Sequence, residues 1–436
     1  MAALLLSCSN AEQFMEDEIL PPVPMMNEDV ESSTSNPVLT RSEVVALAVE
    51  KKGTYKVSEN EAIQSLKDFS KSVSDSKQSD IRTKSSVLKK SAKTGKDMYY
   101  EVVFESDKGT GFSIISADER GGRLLCYSEV GSISDTSFNK NLKFCLQLID
   151  IYIEEQMKEE LDIELLTSSA KKKLVSNETI DTMAIKTRAV PAFNPNDPNW
   201  YYGRTDVNTT VAERLKFVSG SGWHQGLPFN EFLPNNPNTG GTAAVGCYMI
   251  AVAQVMSYHR RPFGNYITTA MWPNMIDNPN TSVDLKNLMR DIHVSMITNY
   301  VGRVSMSDSD KAKSFLNSNG YTVGSQAYYS YNVVWDALNY GPTIMRGDNS
   351  RGEGHAWVVD GARTTTTNYK DIYYYNYNGK IIEHTANPYT YITKYVKHDW
   401  GWGRPKDNTW IIDNVFQMPD SKDTFNFNVA ITSYIR

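Results

Sequence analysis

Cysteine is scarce in this chain of 436 residues: Cys8, Cys126, Cys145 and Cys247 are the four, with no CxxC pair among them. That excludes a dense disulfide framework and the usual zinc-binding spacings. No apolar run approaches the roughly 20 residues that a membrane-spanning helix needs. A basic surplus is missing too. Lys and Arg total 45 against 51 Asp and Glu, a formal charge of −6, which gives no electrostatic reason to expect a nucleic-acid partner. Neither a phosphate-binding glycine loop nor a nucleotide motif is visible, and His224, His293, His384 and His398 have no metal-ligand spacing. No cofactor and no metal are expected. Aromatic residues, in contrast, are plentiful: 25 Tyr and 8 Trp, concentrated in the C-terminal half, suit a β-rich domain with an aromatic-lined cleft. The length allows two or three domains.

The amino terminus reads "MAALLLSCSN". It resembles the end of a bacterial lipoprotein signal, in which small and aliphatic residues precede the lipidated cysteine. That implies export, with Cys8 as a lipid anchor at the cell surface or in the periplasm, or secretion if Cys8 is not lipidated. The apolar segment is short and lacks a basic n-region, so a ragged terminus with an exposed thiol is the plain alternative. The acidic, Pro- and Ser-rich tract that follows has no periodicity. Residues 1–40 are therefore expected to be a signal remnant and a disordered tether.

A first folded unit is expected over 41–166. "RSEVVALAVEKK" (41–52) has the apolar spacing of a short helix, and "MYYEVVFES" (98–106) and "GFSIISADE" (111–119) flank the turn sequence "DKGTG" as a hairpin. Residues 137–166 read as one long amphipathic helix with Leu142, Cys145, Leu146, Ile149 and Ile153 on one face. Cys126 and Cys145 are expected in the core, where unpaired cysteines usually pack. Residues 167–199 lack sustained periodicity and carry Lys171 to Lys173, Lys186 and Arg188, a solvated and cleavable linker. The remainder, 200–436, puts helical patterns (246–259, 283–300, 307–318) ahead of strand-like runs ("AWVVDGAR", "DIYYYNYN", "TYITKYVKHDW", "TWIIDNVF"). That order reads as α+β.

Chemistry enters at "AAVGCYMIAVAQVMSYH" (243–259). Cys247 follows a glycine and opens a helix that is apolar almost all round. A thiolate is favoured at a helix N-terminus, although a packing cysteine fits the same run. Three further segments supply partners. In "GEGHAWVVDG", His355 leads into an apolar strand and can act as a base. In "KHDWGWG", Asp399 can accept from an imidazole and orient it, and Trp400 can shield that bond from water. In "SGWHQGLPFN", the Gln225 amide can stabilise an oxyanion. His259 ends the nucleophile helix, where a cation would suit the dipole.

The Gln, Cys, His and Asp-Trp order resembles the streptopain family, secreted bacterial cysteine peptidases of the papain clan. The likeness lies in "WHQGLPFNEFLPN", "VGCYMIAVAQVMSYHRRP", "GHAWVVDG" and "DWGWG", within residues 200 to 436. "GFSIISADERGGRLLCYSEVGSI" resembles the family's inhibitory propeptide and extends the likeness to residues 40 to 166. The resemblance implies a papain-like cysteine peptidase fold preceded by a small α+β prodomain, made as a zymogen that cuts protein or peptide substrates. It implies Cys247 as nucleophile, His355 as general base and acid, Trp400 packed over the histidine, and Gln225 with the Cys247 N–H in the oxyanion hole. The upstream unit would be the intramolecular inhibitor.

Three features depart from the family. Tyr248, Met249 and Ile250 follow Cys247 where small residues are commoner, which would reshape the helix packing. Asp399 stands where asparagine is usual, and a carboxylate there would raise the imidazole pKa and favour the ion pair. The stretch from Gly361 to Asp399 is long and tyrosine-rich, which predicts an inserted hairpin over 362–398. Two other functions stay open on the same residues: a non-catalytic adhesion or inhibitor protein, and an acyltransferase or amidase using the same Cys–His pair.

Overall fold

The computed structural model describes residues 36–73, 81–134, 140–175, 200–348, 354–377, 380–385, 388–401, 409–416, 428–432 and 435–436. The signal-like start, with Cys8, lies outside them, as do Lys186 and Arg188 of the linker.

The N-terminal unit opens with helix α1 (Arg41–Lys52). Thr40 and Glu43 close a capping box at its start, and Gly53 ends it in the left-handed region. Helix α2 (Glu59–Val73) follows, then the antiparallel strands β1 (Arg82–Lys90), β2 (Asp97–Ser106), β3 (Gly109–Ser116) and β4 (Leu124–Ser128). The expected hairpin is β2–β3. The long helix expected over 137–166 is instead two. Helix α3 (Lys140–Lys158) stops before "EELD", and Asp162 then caps a new helix, α4 (Ile163–Val175), by accepting from the Leu165 N–H at 2.9 Å. The linker expected from residue 167 therefore begins as helix. Thr167 and Ala170 are buried, three residues apart on one face, a stripe too small and too polar to stand out in the sequence.

The second unit starts with strand β5 (Trp200–Leu215), whose polar exposed residues gave no strand signal. Helix α5 (Cys247–His259) is the one that Cys247 opens, and α6 (Trp272–Asp277) and α7 (Val283–Met296) follow. Strands β6 (Asn299–Val301) and β7 (Val304–Met306) form a separate small hairpin. Helix α8 (Ser309–Ser318), strand β8 (Gln326–Tyr328), helix α9 (Tyr331–Ala337) and strand β9 (Thr343–Asp348) lead to the sheet's centre. There the long β10 (Gly354–Tyr377) pairs with β9, β12 (Tyr389–Asp399), β5 and β11 (Lys380–Thr385). Strand β13 (Thr409–Ile412) borders β12, and β14 (Asn428–Thr432) borders β9. The α+β architecture holds, and the inserted hairpin is the outer part of β10 and β12 with β11 between them.

One sheet runs through both units. Strand β4 pairs with β13 (Thr409 with Ser128, Trp410 with Tyr127, Ile411 with Cys126), so the N-terminal unit covers an edge of the C-terminal sheet. Strand β10 separates two apolar cores. Ala356 and Val358 face one of them, with α5, α7 and α8. Trp357 and Val359 face the other, with α2, α3 and the N-terminal strands. Cys126 and Cys145 lie fully buried in that second core, as expected.

Candidate active site

The loop before Cys247 is fixed carbonyl by carbonyl. Asn230 Nδ2 donates to Ala243 O at 2.9 Å, and Ser305 Oγ donates to Ala244 O at 2.6 Å. His293 Nδ1 donates to Val245 O at 3.1 Å, and its Nε2 accepts from the Tyr300 hydroxyl at 2.9 Å. Because Nδ1 faces a carbonyl it carries the proton, so the other nitrogen is the acceptor. The Val245 N–H donates to Gln225 O at 3.0 Å, which places Gln225 two residues from the cysteine's own segment. Gly246 caps α5 at φ 102°, a left-handed turn in which a Cβ would lie 2.5 Å from Met249 Sδ. No side chain caps the helix, so its thiol-bearing end keeps the partial positive charge of a helix N-terminus. Cys247 itself is 4 % exposed.

Helix α5 also carries a group that sequence reasoning missed. Gln254 lies seven residues, two turns, beyond Cys247 on the same face and is fully buried. Its Nε2 donates to Asp399 Oδ1 at 2.8 Å and sits 3.3 Å from Gly220 O. The Gly401 N–H donates to the same Oδ1 at 3.1 Å. Asp399 is thus tied to the helix that presents the thiol. The signal was available: a lone amide in an otherwise apolar helix needs a buried partner.

His355 opens β10 opposite Gly347 of β9. Its Nδ1 is buried with no hydrogen-bond partner among the described residues. The structure therefore brings Asp399 onto the Cys247 helix, and it leaves the Nδ1 of His355 without a hydrogen bond among the described residues. Further along the same strand pair, Lys397 Nζ and Asp360 Oδ1 form an ion pair at 2.6 Å, each residue 2 % exposed. It pins the register shift between Val359 and Gly361, so the two strands that carry His355 and Asp399 cannot slide.

Trp400 stacks on His398, with ring centroids 4.9 Å apart and planes 6° apart, and donates from Nε1 to Thr409 Oγ1 at 3.0 Å. His398 Nδ1 accepts from Trp357 Nε1 at 2.9 Å, while its Nε2 is buried without a partner among the described residues. Desolvation, with the Lys397 charge beside it, holds this imidazole down at about 3, so it is neutral. Alternation explains the arrangement: His398 and Trp400 point to one side of β12, with Trp357, and Asp399 points to the other. His259 departs from the cation expected at the end of α5. Burial and then the Arg261 charge lower its pKa to about 4, so it ends α5 as a neutral ring against Tyr258 and Tyr321.

The N-terminal unit reaches the same place. Phe144 of α3 packs on Trp357 (centroids 6.0 Å apart) and on bare backbone at Gly347, where an added Cβ would lie 2.8 Å from its ring. Gly347 is the register partner of His355, so Phe144 covers the start of β10. Among the described residues no His, Cys, Asp and Glu cluster has the form of a metal site.

Comparison with known proteins joins these features. Residues 223–410 match the Peptidase C10 family, and residues 54–153 match the Spi protease inhibitor. Streptopain of Streptococcus pyogenes is 23% identical over 372 residues, covering 73% of this chain and 75% of that protein. Streptopain of serotype M28 is 22% identical over 369 residues, with the same shares covered.

Proposed function

We propose, from the premise that the chain carries a Peptidase C10 domain and is a cysteine peptidase with a propeptide-like N-terminal domain, that it is an endopeptidase made as an inactive zymogen. Cys247 is the nucleophile. Its thiolate, favoured by the uncapped N-terminus of α5, attacks the scissile carbonyl carbon. The resulting oxyanion takes hydrogen bonds from the Cys247 N–H and the Gln225 amide. His355, holding the thiol's proton, passes it to the departing amine and leaves an acyl thioester. Water then attacks with His355 as base, the C–S bond breaks, and the Cys247 thiolate is regenerated as the acid product leaves. Asp399 orients the imidazole, and Gln254 orients Asp399.

The observation that carries this reading is the Gln254–Asp399 bond at 2.8 Å, which ties Asp399 to the helix that bears the thiol. In the intact chain Phe144 packs on Trp357 and on Gly347, the register partner of His355, and the His355 Nδ1 has no partner among the described residues, which suits a resting zymogen. Cleavage within 176–199 is the first step in freeing the unit, and once the unit has left, the imidazole bonds the thiol. Export by way of the Cys8 segment belongs to the same proposal, and fractionation of cells with Cys8→Ala beside the unaltered chain tests it. Casein hydrolysis by the linker-cut chain tests the chemistry. Cys247→Ala and His355→Ala should each abolish it with the fold intact, and near-normal turnover by a folded Cys247→Ala chain would sink the mechanism.

A further inference from the structure

The inserted hairpin has no part in the chemistry above, yet the N-terminal unit grips it. Residues 37–39 run alongside β12 as a short parallel addition: the Leu39 N–H donates to Thr390 O at 2.9 Å, and the Thr390 N–H donates to Pro37 O at 3.0 Å. Thr390 is fully buried, and its Oγ1 donates to Asn368 Oδ1 at 2.7 Å. Leu39, Leu47, Ala170 and Tyr389 close a small core of their own, separate from the two large ones. Tyr369 stacks on Tyr389 beneath it, centroids 5.0 Å apart and planes at 17°. Side chains from α1, α4 and the hairpin all contribute to it.

The base of the hairpin makes a second contact. Arg363 of β10 is 2 % exposed and lies between the rings of Phe69 (5.5 Å) and Trp410 (5.1 Å). It donates to Ser72 Oγ at 2.8 Å and pairs with Glu213. Phe69 and Ser72 belong to α2, so a buried guanidinium of the C-terminal unit is sealed by the N-terminal one. Aromatic and arginine side chains in such desolvated positions carry most of the energy of an interface.

We propose that the hairpin over 362–398 is a retaining arm, which holds the N-terminal unit by the Pro37–Leu39 segment, the α1–α4 pair and α2 after the linker has been cut. This rests on the reading of that unit as a propeptide and adds a second step to its removal. The geometry carries it: α4 ends at Val175, so a cut anywhere in 176–199 leaves α1, α2 and α4 on one fragment and severs none of these contacts. The partner that the arm fits is an extended apolar tripeptide leading into two packed helices. Linker cleavage alone then yields a complex, and release follows only when α1 or α4 is itself cut or displaced.

The test uses the full chain with Cys247→Ala, to prevent self-digestion, and an engineered protease site within 176–199. After cutting, size exclusion and the dissociation rate of the two fragments are measured. The unaltered arm should keep them together. Thr390→Pro removes the N–H given to Pro37 at a strand edge that tolerates proline, and Leu39→Ser changes only the other side. Each should raise the dissociation rate by about tenfold or more. Fragments that separate at once with the arm unaltered, or rates that neither substitution changes, overturn the proposal. Hydrolysis by the same cut chains with Cys247 present is read separately. A pair that stays together yet works at full rate supports the arm and overturns the inhibitory reading instead.

Discussion

Phe144→Ala should open the site of the intact chain without any cut. The ring is 5 % exposed, packs on Trp357 and lies directly on the Gly347 backbone. Truncating a buried phenylalanine to alanine costs about 3–5 kcal/mol, and the cavity left here would face β9 and β10, since Gly347 has no side chain to fill it. If only the lower value falls on docking, the transiently open population rises by about a hundredfold, at 1.4 kcal/mol per factor of ten. The assay is alkylation of the uncut chain at neutral pH, with the modified cysteine located by peptide mass. Cys126 and Cys145, fully buried, serve as internal controls. Cys247 should label about a hundred times faster in Phe144→Ala. Phe144→Leu, which keeps most of the apolar bulk, should stay within about tenfold of the unaltered chain. If Phe144→Ala melts as a folded protein and Cys247 still labels at the unaltered rate, α3 does not guard the site.

The Asp399 carboxylate accepts at Oδ1 from Gln254 and Gly401, bonds that an asparagine carbonyl also accepts. Asp399→Asn in the cut enzyme should therefore cost little, whereas Asp399→Ala and Gln254→Ala should each lower kcat about tenfold or more with KM little changed, and equal rates in all would give Asp399 another role. His398 has its pKa depressed to about 3 from an ordinary 6.5, so the unfolded chain binds the extra proton and stability falls as pH drops below 6.5. Between pH 6.5 and 5 that loss is roughly 2 kcal/mol, and His398→Gln, which keeps an acceptor for Trp357, should remove it; an unchanged pH dependence of melting would refute this. At Glu43 burial acts upward, but donors from Lys173, Thr40 and Ser169 outweigh it and hold the carboxyl at about 2. Its contribution to the α1–α4 pair is complete above the unfolded value of 4.5 and is lost as pH falls towards 2, so the cut fragments should stay together at pH 5 and separate faster near pH 3, with a smaller change in Glu43→Gln.

What the sequence made legible was local. The α5 pattern, the β2–β3 hairpin and the Leu142–Ile153 face of α3 all follow from spacing. The insertion was visible as excess length between Gly361 and Asp399. What stayed hidden depended on partners distant in sequence. Gln254 looks like a stray amide until β12 brings Asp399 to it, 145 residues on. Trp400 stacks on His398, two residues back on the same side of β12, whose burial no local pattern records. Strand β5 is polar on its visible faces, because β10 holds it by backbone pairing rather than by a core. The part of α4 from residue 167 on reads as linker because its buried residues are Thr167 and Ala170, and Ala170 gains its apolar contact only against Leu39, Leu47 and Tyr389.

The central claim is that Cys247 is the reacting group and that the N-terminal unit covers it. Once that unit has been cut away and released, residues 200–436 contain a single cysteine, so thiol chemistry on this fragment reports on Cys247 alone. Stoichiometric alkylation, followed in parallel with casein hydrolysis, tests the claim most directly. The account predicts that one alkyl group per chain abolishes hydrolysis in step with its incorporation, and that adding back the N-terminal unit slows both. Hydrolysis that persists in the fully alkylated fragment would contradict it.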